Sequence, residues 1–200
     1  MPRSRPTALL VLLASLLPGD RPAPAQAPGK GGAGDGPAME RRPDVRYVPT
    51  PQHVVDRMLE LAEIKPGDVL YDLGCGDGRI VVTAAKRYGI KAVGIDIDPA
   101  RVRESRENAR AHGVEALVTI RQADIFAADL TGATVVTLYL TPVLNARLKP
   151  KLAGLGPGAR ILSHSFAMPG ARPRRIERVE DGRGTSRNIY LWVVPWDEAR

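Results

Sequence analysis

A chain of 200 residues with a single cysteine, Cys75, can form neither an internal disulfide nor a zinc site built on several thiolates. Aromatic residues make up only 4% of it, which leaves little to stack on nucleic-acid bases. Lys and Arg outnumber Asp and Glu by 29 to 22, a formal charge of +7. The arginines are nonetheless scattered, many beside an acid, with no Lys/Arg block. That is a solvated basic surface, and no nucleic-acid partner is expected. The chain lacks internal repeats. Its apolar run at 8–17 falls short of the ~20 residues of a comfortable membrane span.

That run follows Arg3 and Arg5, and Ala25-Gln26-Ala27 beyond it offers a small-x-small cleavage site. Residues 1–27 therefore read as a secretory signal peptide, with an uncleaved membrane anchor or an organellar presequence as alternatives. Residues 28–44 are rich in Pro, Gly and Ala with isolated charges, cannot bury enough apolar surface to offset ordering entropy, and are expected to be a disordered linker. The expected destination is periplasmic, secreted or membrane-anchored, and cytoplasmic if the leader is not used. What remains, 45–200, suffices for one hydrophobic core.

Within that domain the apolar spacing alternates between strand and helix. A helix is expected around 54–62, a strand over 69–73, a helix from 80 to about 88, a strand over 92–97, and a helix from 98 to about 112 with Asp98 as its cap and Pro99 at its first position. Strands follow at 116–122 and 134–140, then a helix from about 143 to 155 that Pro150 could kink, a strand at 160–164, and a hairpin of 175–180 with 188–194. This predicts an α/β fold: a doubly wound, mostly parallel seven-stranded sheet closed by a C-terminal antiparallel β-hairpin. The carboxyl ends of its strands carry Asp72, Asp96, Asp124 and Tyr139-Leu140-Thr141-Pro142, which the topology gathers in one crevice.

The stretch that organises the crevice is Asp72-Leu73-Gly74-Cys75-Gly76-Asp77-Gly78, a strand end and a glycine loop that admits a ligand close to the main chain. A dinucleotide fold needs Gly-x-Gly-x-x-Gly, and here Arg79 stands where the third glycine belongs. Asp77 would also repel a pyrophosphate. S-adenosylmethionine, with an ammonium, a carboxylate and a ribose, suits the loop better.

These residues resemble the first motif of class I S-adenosylmethionine-dependent methyltransferases, followed at the usual interval by Asp96 and then Asp124. More narrowly, Tyr47-Val48-Pro49-Thr50-Pro51, the loop through Ile80, Leu138-Tyr139-Leu140-Thr141-Pro142 and Ser163-His164-Ser165-Phe166 are similar to the lysine methyltransferases of the mitochondrial ATP synthase c-subunit and adenine nucleotide translocase, with their bacterial relatives. The similarity spans about residues 45 to 168.

The resemblance implies a Rossmann-like methyltransferase fold, S-adenosyl-L-methionine as cofactor, no metal, and a protein lysine as acceptor. Asp72 with the backbones of Gly74, Cys75 and Gly76 would hold the methionine moiety. Asp96, with Ile97 beside it, would accept the ribose hydroxyls, and Asp124 with Ile125 would meet the adenine. Each acid has a plainer reading: Asp96 as a helix-start acid, Asp124 as a turn initiator. Tyr139, Thr141 and Asn145 are the candidates for the catalytic, acceptor-facing side. Tyr139 could equally be a core aromatic, and His164 a structural histidine. After the fifth strand the chain departs from its relatives, which tend to have an acid and a Trp where it has Met168-Pro169-Gly170. Two other functions remain open, a secreted non-catalytic nucleoside-binding domain and a nicotinamide oxidoreductase.

Overall fold

Strands and helices alternate through the computed structural model, which describes residues 42–199 except 181 and 183. The leader at 1–27 and all but the last three residues of the 28–44 linker lie outside the described residues. The elements are α1 (Gln52–Leu61), β1 (Val69–Leu73), α2 (Arg79–Tyr88), β2 (Lys91–Asp96), α3 (Pro99–Ala111), β3 (Val118–Gln122), β4 (Val135–Leu138), α4 (Pro142–Ala153), β5 (Arg160–His164), β6 (Arg175–Glu180) and β7 (Ser186–Val193). They build a seven-stranded sheet in the order β3-β2-β1-β4-β5-β7-β6. Strands β1 to β5 are parallel to one another, and β7 runs antiparallel to both β5 and β6.

The helices form where apolar spacing gives them one buried face. In α1, Val54, Val55, Met58, Leu59 and Leu61 are buried, and in α2 the buried set is Ile80, Val81, Val82, Ala84 and Ala85. Asp98 caps α3 by accepting from the Ala100 N–H at 2.7 Å. Alternate residues of each strand face opposite sides of the sheet. Leu70, Ala92, Val135 and Leu162 pack with α1, α2 and α3, whereas Tyr71, Val93, Val136 and Ile161 pack with Leu148 and Leu152 of α4 on the other face. The sheet is thus covered on both sides, as doubly wound topology requires.

Several boundaries differ from expectation by one or two residues, and three of them have a local reason. Strand β3 starts at Val118, not 116, because the Leu117 and Val118 N–H groups close a turn on the Val114 carbonyl. Strand β4 stops at Leu138, since its ladders end at the pairs with Leu73 and Ser163. Tyr139 and Leu140 are released from the sheet at that point. Strand β7 begins at Ser186, earlier than 188, paired with Glu180. Helix α4 continues past Pro150 to Ala153. The strand order reverses between β1 and β4, and a crevice opens beyond their carboxyl ends.

Candidate active site

The crevice is a cavity whose floor is the glycine loop and the ends of β1, β2 and β4. The N–H groups of Gly74 and Cys75 both donate to the Ile95 carbonyl, at 2.8 and 3.0 Å, which hooks the loop over β2. Gly74 and Gly76 take φ of 81° and 54°, a region that side chains disfavour. A Cβ on Gly74 would press to 3.2 Å from Leu140, and one on Gly76 would overlap the Tyr47 ring.

Asp72 is 2% exposed. One carboxylate oxygen accepts from the Thr137 hydroxyl at 2.7 Å, and the other, Oδ2, is buried with no hydrogen-bond partner. Burial pushes its pKa up to about 7 against the Thr137 bond, with Asp96 and Asp77 adding to the rise. An unsatisfied buried carboxylate at a cavity wall calls for a cation.

Asp96 accepts from the Gly76 N–H at 2.8 Å and the Asp98 N–H at 2.9 Å, one on each oxygen. Its pKa is also raised, chiefly by burial. Each oxygen retains capacity for a ribose hydroxyl. Asp124 accepts from the Phe126 N–H at 2.9 Å, so it does initiate a turn, while also lining the cavity with Ile125. Cys75 is buried, its thiol pushed well up by desolvation. Gly94 makes room for it, since a Cβ there would sit 2.9 Å from the Cys75 sulfur.

Of the site residues expected from sequence, Asp72, Gly74, Cys75, Asp96, Ile97, Asp124, Ile125 and Tyr139 line one cavity. Gly76, Thr141 and Asn145 are outside that lining. Gly76 lies against the Tyr47 ring and turns its N–H to Asp96. Thr141 caps α4, its hydroxyl accepting from the Leu144 N–H at 3.5 Å. Asn145 is fully buried, and its amide nitrogen faces Ser163 Oγ and the Phe166 and Ala167 carbonyls at 3.2–3.3 Å. It ties α4 to the loop after β5. Just past the end of β4 the Tyr139 ring packs 4.2 Å from His164 and 6.2 Å from Phe166, centroid to centroid.

Sequence reading named Tyr47-Val48-Pro49-Thr50-Pro51 as a motif of the resemblance but gave it no place in the site. Residues 43–50 cross the crevice as an extended strap and all eight line it, including Pro43 and Asp44 that composition assigns to the linker. The signal available was Tyr47 and Val48 among prolines just before α1, apolar groups on chain too stiff for a helix. Among the described residues, no group of three or more His, Cys, Asp or Glu could hold a metal ion, and no helix is long and apolar enough to cross a membrane.

The model of the ANTKMT methyltransferase domain matches residues 72–175, from the orphaned carboxylate of β1 to the first residue of β6. The chain belongs to that methyltransferase family. A protein-lysine N-methyltransferase of Saccharolobus islandicus is 46% identical over 158 residues, covering 78% of this chain and 98% of that protein. The mouse adenine nucleotide translocase lysine N-methyltransferase is 34% identical over 156 residues, 76% of this chain and 66% of that protein. A crystal structure described as an RNA methyltransferase from Salinibacter ruber in complex with S-adenosyl-L-homocysteine is 50% identical, with a TM-score of 0.70, covering 74% of this chain and 94% of that one. This methyltransferase therefore uses S-adenosylmethionine, and its residues fit that group. The buried Asp72 Oδ2 offers an acceptor for an ammonium, Asp96 for a ribose, Gly74 leaves space where a side chain would intrude, and Ile97 and Ile125 supply apolar surface.

Proposed function

We propose that this methyltransferase acts on the amine of a protein lysine. The observation that carries the reading is the chemistry of the cavity wall at the end of β4, where Tyr139, Leu140 and Leu144 are all uncharged. A lysine amine attacks only when neutral, and with a reference pKa near 10.4 its deprotonation at pH 7 costs about 4.6 kcal/mol. A carboxylate at this wall would hold the ammonium and add to that cost, whereas a neutral, desolvating wall lowers it. Asp77, which also lines the cavity, is paired with Arg79 at 2.5 Å. The names of the Saccharolobus and mouse relatives support the same acceptor.

In this reading Asp72 faces the cofactor's ammonium, and the Gly74 and Cys75 backbone lies along its methionine part. Asp96, oriented by Gly76 and Asp98, takes the ribose, with Ile97 beside it, and Asp124 with Ile125 takes the adenine. The bound cofactor supplies a sulfonium methyl group for in-line transfer. Holding two reactants in line can remove as much as roughly 7–11 kcal/mol of a barrier, so Tyr139 need only orient the amine. Its ring face favours a methylated cation as well.

The Salinibacter protein's description names RNA as an acceptor. Scattered basic charge and sparse aromatics favour protein for this chain. The test offers the full chain tritiated S-adenosylmethionine with a cell lysate, separates protein from RNA, and hydrolyses the protein. Label in methyl-lysine is expected; label confined to RNA or small molecules overturns the reading. We also propose export or anchoring through residues 1–27, supported by Arg3, Arg5 and the run at 8–17. A full-length, wholly cytosolic product on fractionation of a C-terminally tagged chain would contradict it.

A further inference from the structure

Arg79 has no role in the site as described. It occupies the position where a dinucleotide fold packs a glycine, and it is not packed away. Its guanidinium holds both oxygens of Asp77, at 2.5–3.0 Å, and donates to the Thr50 carbonyl on the strap at 2.9 Å. The Tyr47 hydroxyl lies in the field of Asp77 and Arg79, whose charges act on it in opposite directions. The Tyr47 ring lies against Gly76, with the Arg101 guanidinium 4.9 Å from its centroid. The Arg79–Asp77 pair thus grips the strap segment 47–50 at Thr50 by a direct hydrogen bond and faces its other end, Tyr47, through charge.

We propose that residues 43–50 are a lid over the cofactor and that Arg79 is the positioning residue that latches it shut. The proposal rests on the cavity being the cofactor site. A molecule seated there meets the loop, the strand ends and the strap alike, because all of 43–50 lines the same cavity. Loading and release then require the strap to lift. The latch suits a contact that must break. It is polar, and the side chains of Arg79 and Asp77 retain 30% and 15% exposure, so water can replace the bonds as they open. The carbonyl it holds belongs to Thr50, directly before Pro51 and α1, which places the hinge at the helix start. Arg is required for this geometry: its planar fork serves a carboxylate and a carbonyl together, which a lysine ammonium on a flexible stem does not.

Closure also reaches the acceptor wall. The Thr50 hydroxyl stands 3.4 Å from Nδ1 of His164, the residue whose ring packs against Tyr139. A latched strap therefore touches both halves of the site.

The experiment is a chase. The full chain is loaded with tritiated S-adenosylmethionine, excess unlabelled S-adenosylhomocysteine is added, and loss of bound label is timed for wild type, R79A, R79K and Y47F. In parallel, amide exchange across 44–50 is followed with and without S-adenosylhomocysteine. R79A is expected to release label about tenfold faster, the fold-change of one charge-assisted hydrogen bond. R79K should fall near R79A, and Y47F should release several-fold faster than wild type. Wild-type amides at 44–50 should slow when cofactor binds, and R79A should lose that slowing. If wild type binds no label, the cavity is not the cofactor site. If it binds label while R79A and Y47F release it at the wild-type rate, or if exchange at 44–50 ignores the cofactor, the lid is overturned. Should R79A not fold, Y47F decides the outcome, since it removes one hydroxyl from a ring 37% exposed.

Discussion

The β1–β3 half of the sheet and the β4–β7 half border the same crevice with opposite chemistry. On the first, strand ends carry Asp72, Asp96 and, just beyond β3, Asp124, and burial raises the pKa of the first two. On the second, the lining residues Tyr139, Leu140 and Leu144 carry no charge, and behind them Asn145 and Ser163 bond to each other and to the loop after β5. The difference teaches where each reactant sits. A cationic cofactor needs carboxylates whose lone pairs the fold leaves open, and a nucleophilic amine needs a wall that does not stabilise its proton.

Substitutions on each side should separate the two roles. The largest effect is expected from Trp192→Ala in β7. Trp192 is fully buried and donates to the Ala171 carbonyl at 3.1 Å, so its loss should cost about 3–5 kcal/mol of stability in urea melts. Cofactor affinity of the folded fraction should be unchanged. Asp72→Asn keeps the shape, yet calorimetry should show S-adenosylmethionine binding about 100-fold weaker, the scale of roughly 1.5–3 kcal/mol for a hydrogen bond to a charged group. Unaltered affinity would remove the ammonium from this carboxylate.

Acidity gives a third and smaller contrast. With Asp72 at about 7 in the free protein, only the ionised form receives the ammonium, so binding should be about tenfold tighter at pH 8 than at pH 6, and Asp72→Asn should flatten that slope. The sign reverses for stability of the empty domain. The unfolded carboxyl ionises near pH 4 while the folded one keeps its proton, so stability falls as pH rises from about 4 to about 7. The smallest expected change is in Tyr139→Phe: cofactor affinity within about twofold of wild type, and acceptor KM raised a few-fold, as one exposed-edge hydrogen bond allows. A large change in cofactor affinity would erase the division between the halves.

Much of this was legible in the chain, because the cofactor half is written locally. A strand, a glycine loop and a helix lie within twenty consecutive residues, Asp96 closes the apolar run of β2, and Asp124 follows the end of β3 by two residues. Asn145 was not legible as a tie. Chain position puts it near the crevice, but each helical residue turns by about 100°. Leu144 consequently lines the cavity while Asn145 faces the loop after β5. Thr141 was expected on the acceptor-facing side, although Thr141-Pro142 repeats the cap pattern of Asp98-Pro99 and the hydroxyl serves as that cap. The strap was legible at 47–51 as a motif but not as a wall of the site, because its partner Arg79 stands about thirty residues further along the chain.

The placement of β7 has a consequence for how the protein is made. It is synthesised after the other six strands, yet it sits inside the sheet, zipped between β5 and β6. Until it emerges from the ribosome, β5 presents an open edge flanked by Ile161 and Leu162, both fully buried in the finished protein, and β6 has no neighbour in the sheet. Open apolar edges invite pairing with other chains. A nascent chain can assemble its cofactor half early, but it depends on its final strand, or on a chaperone until that strand arrives, to close the other.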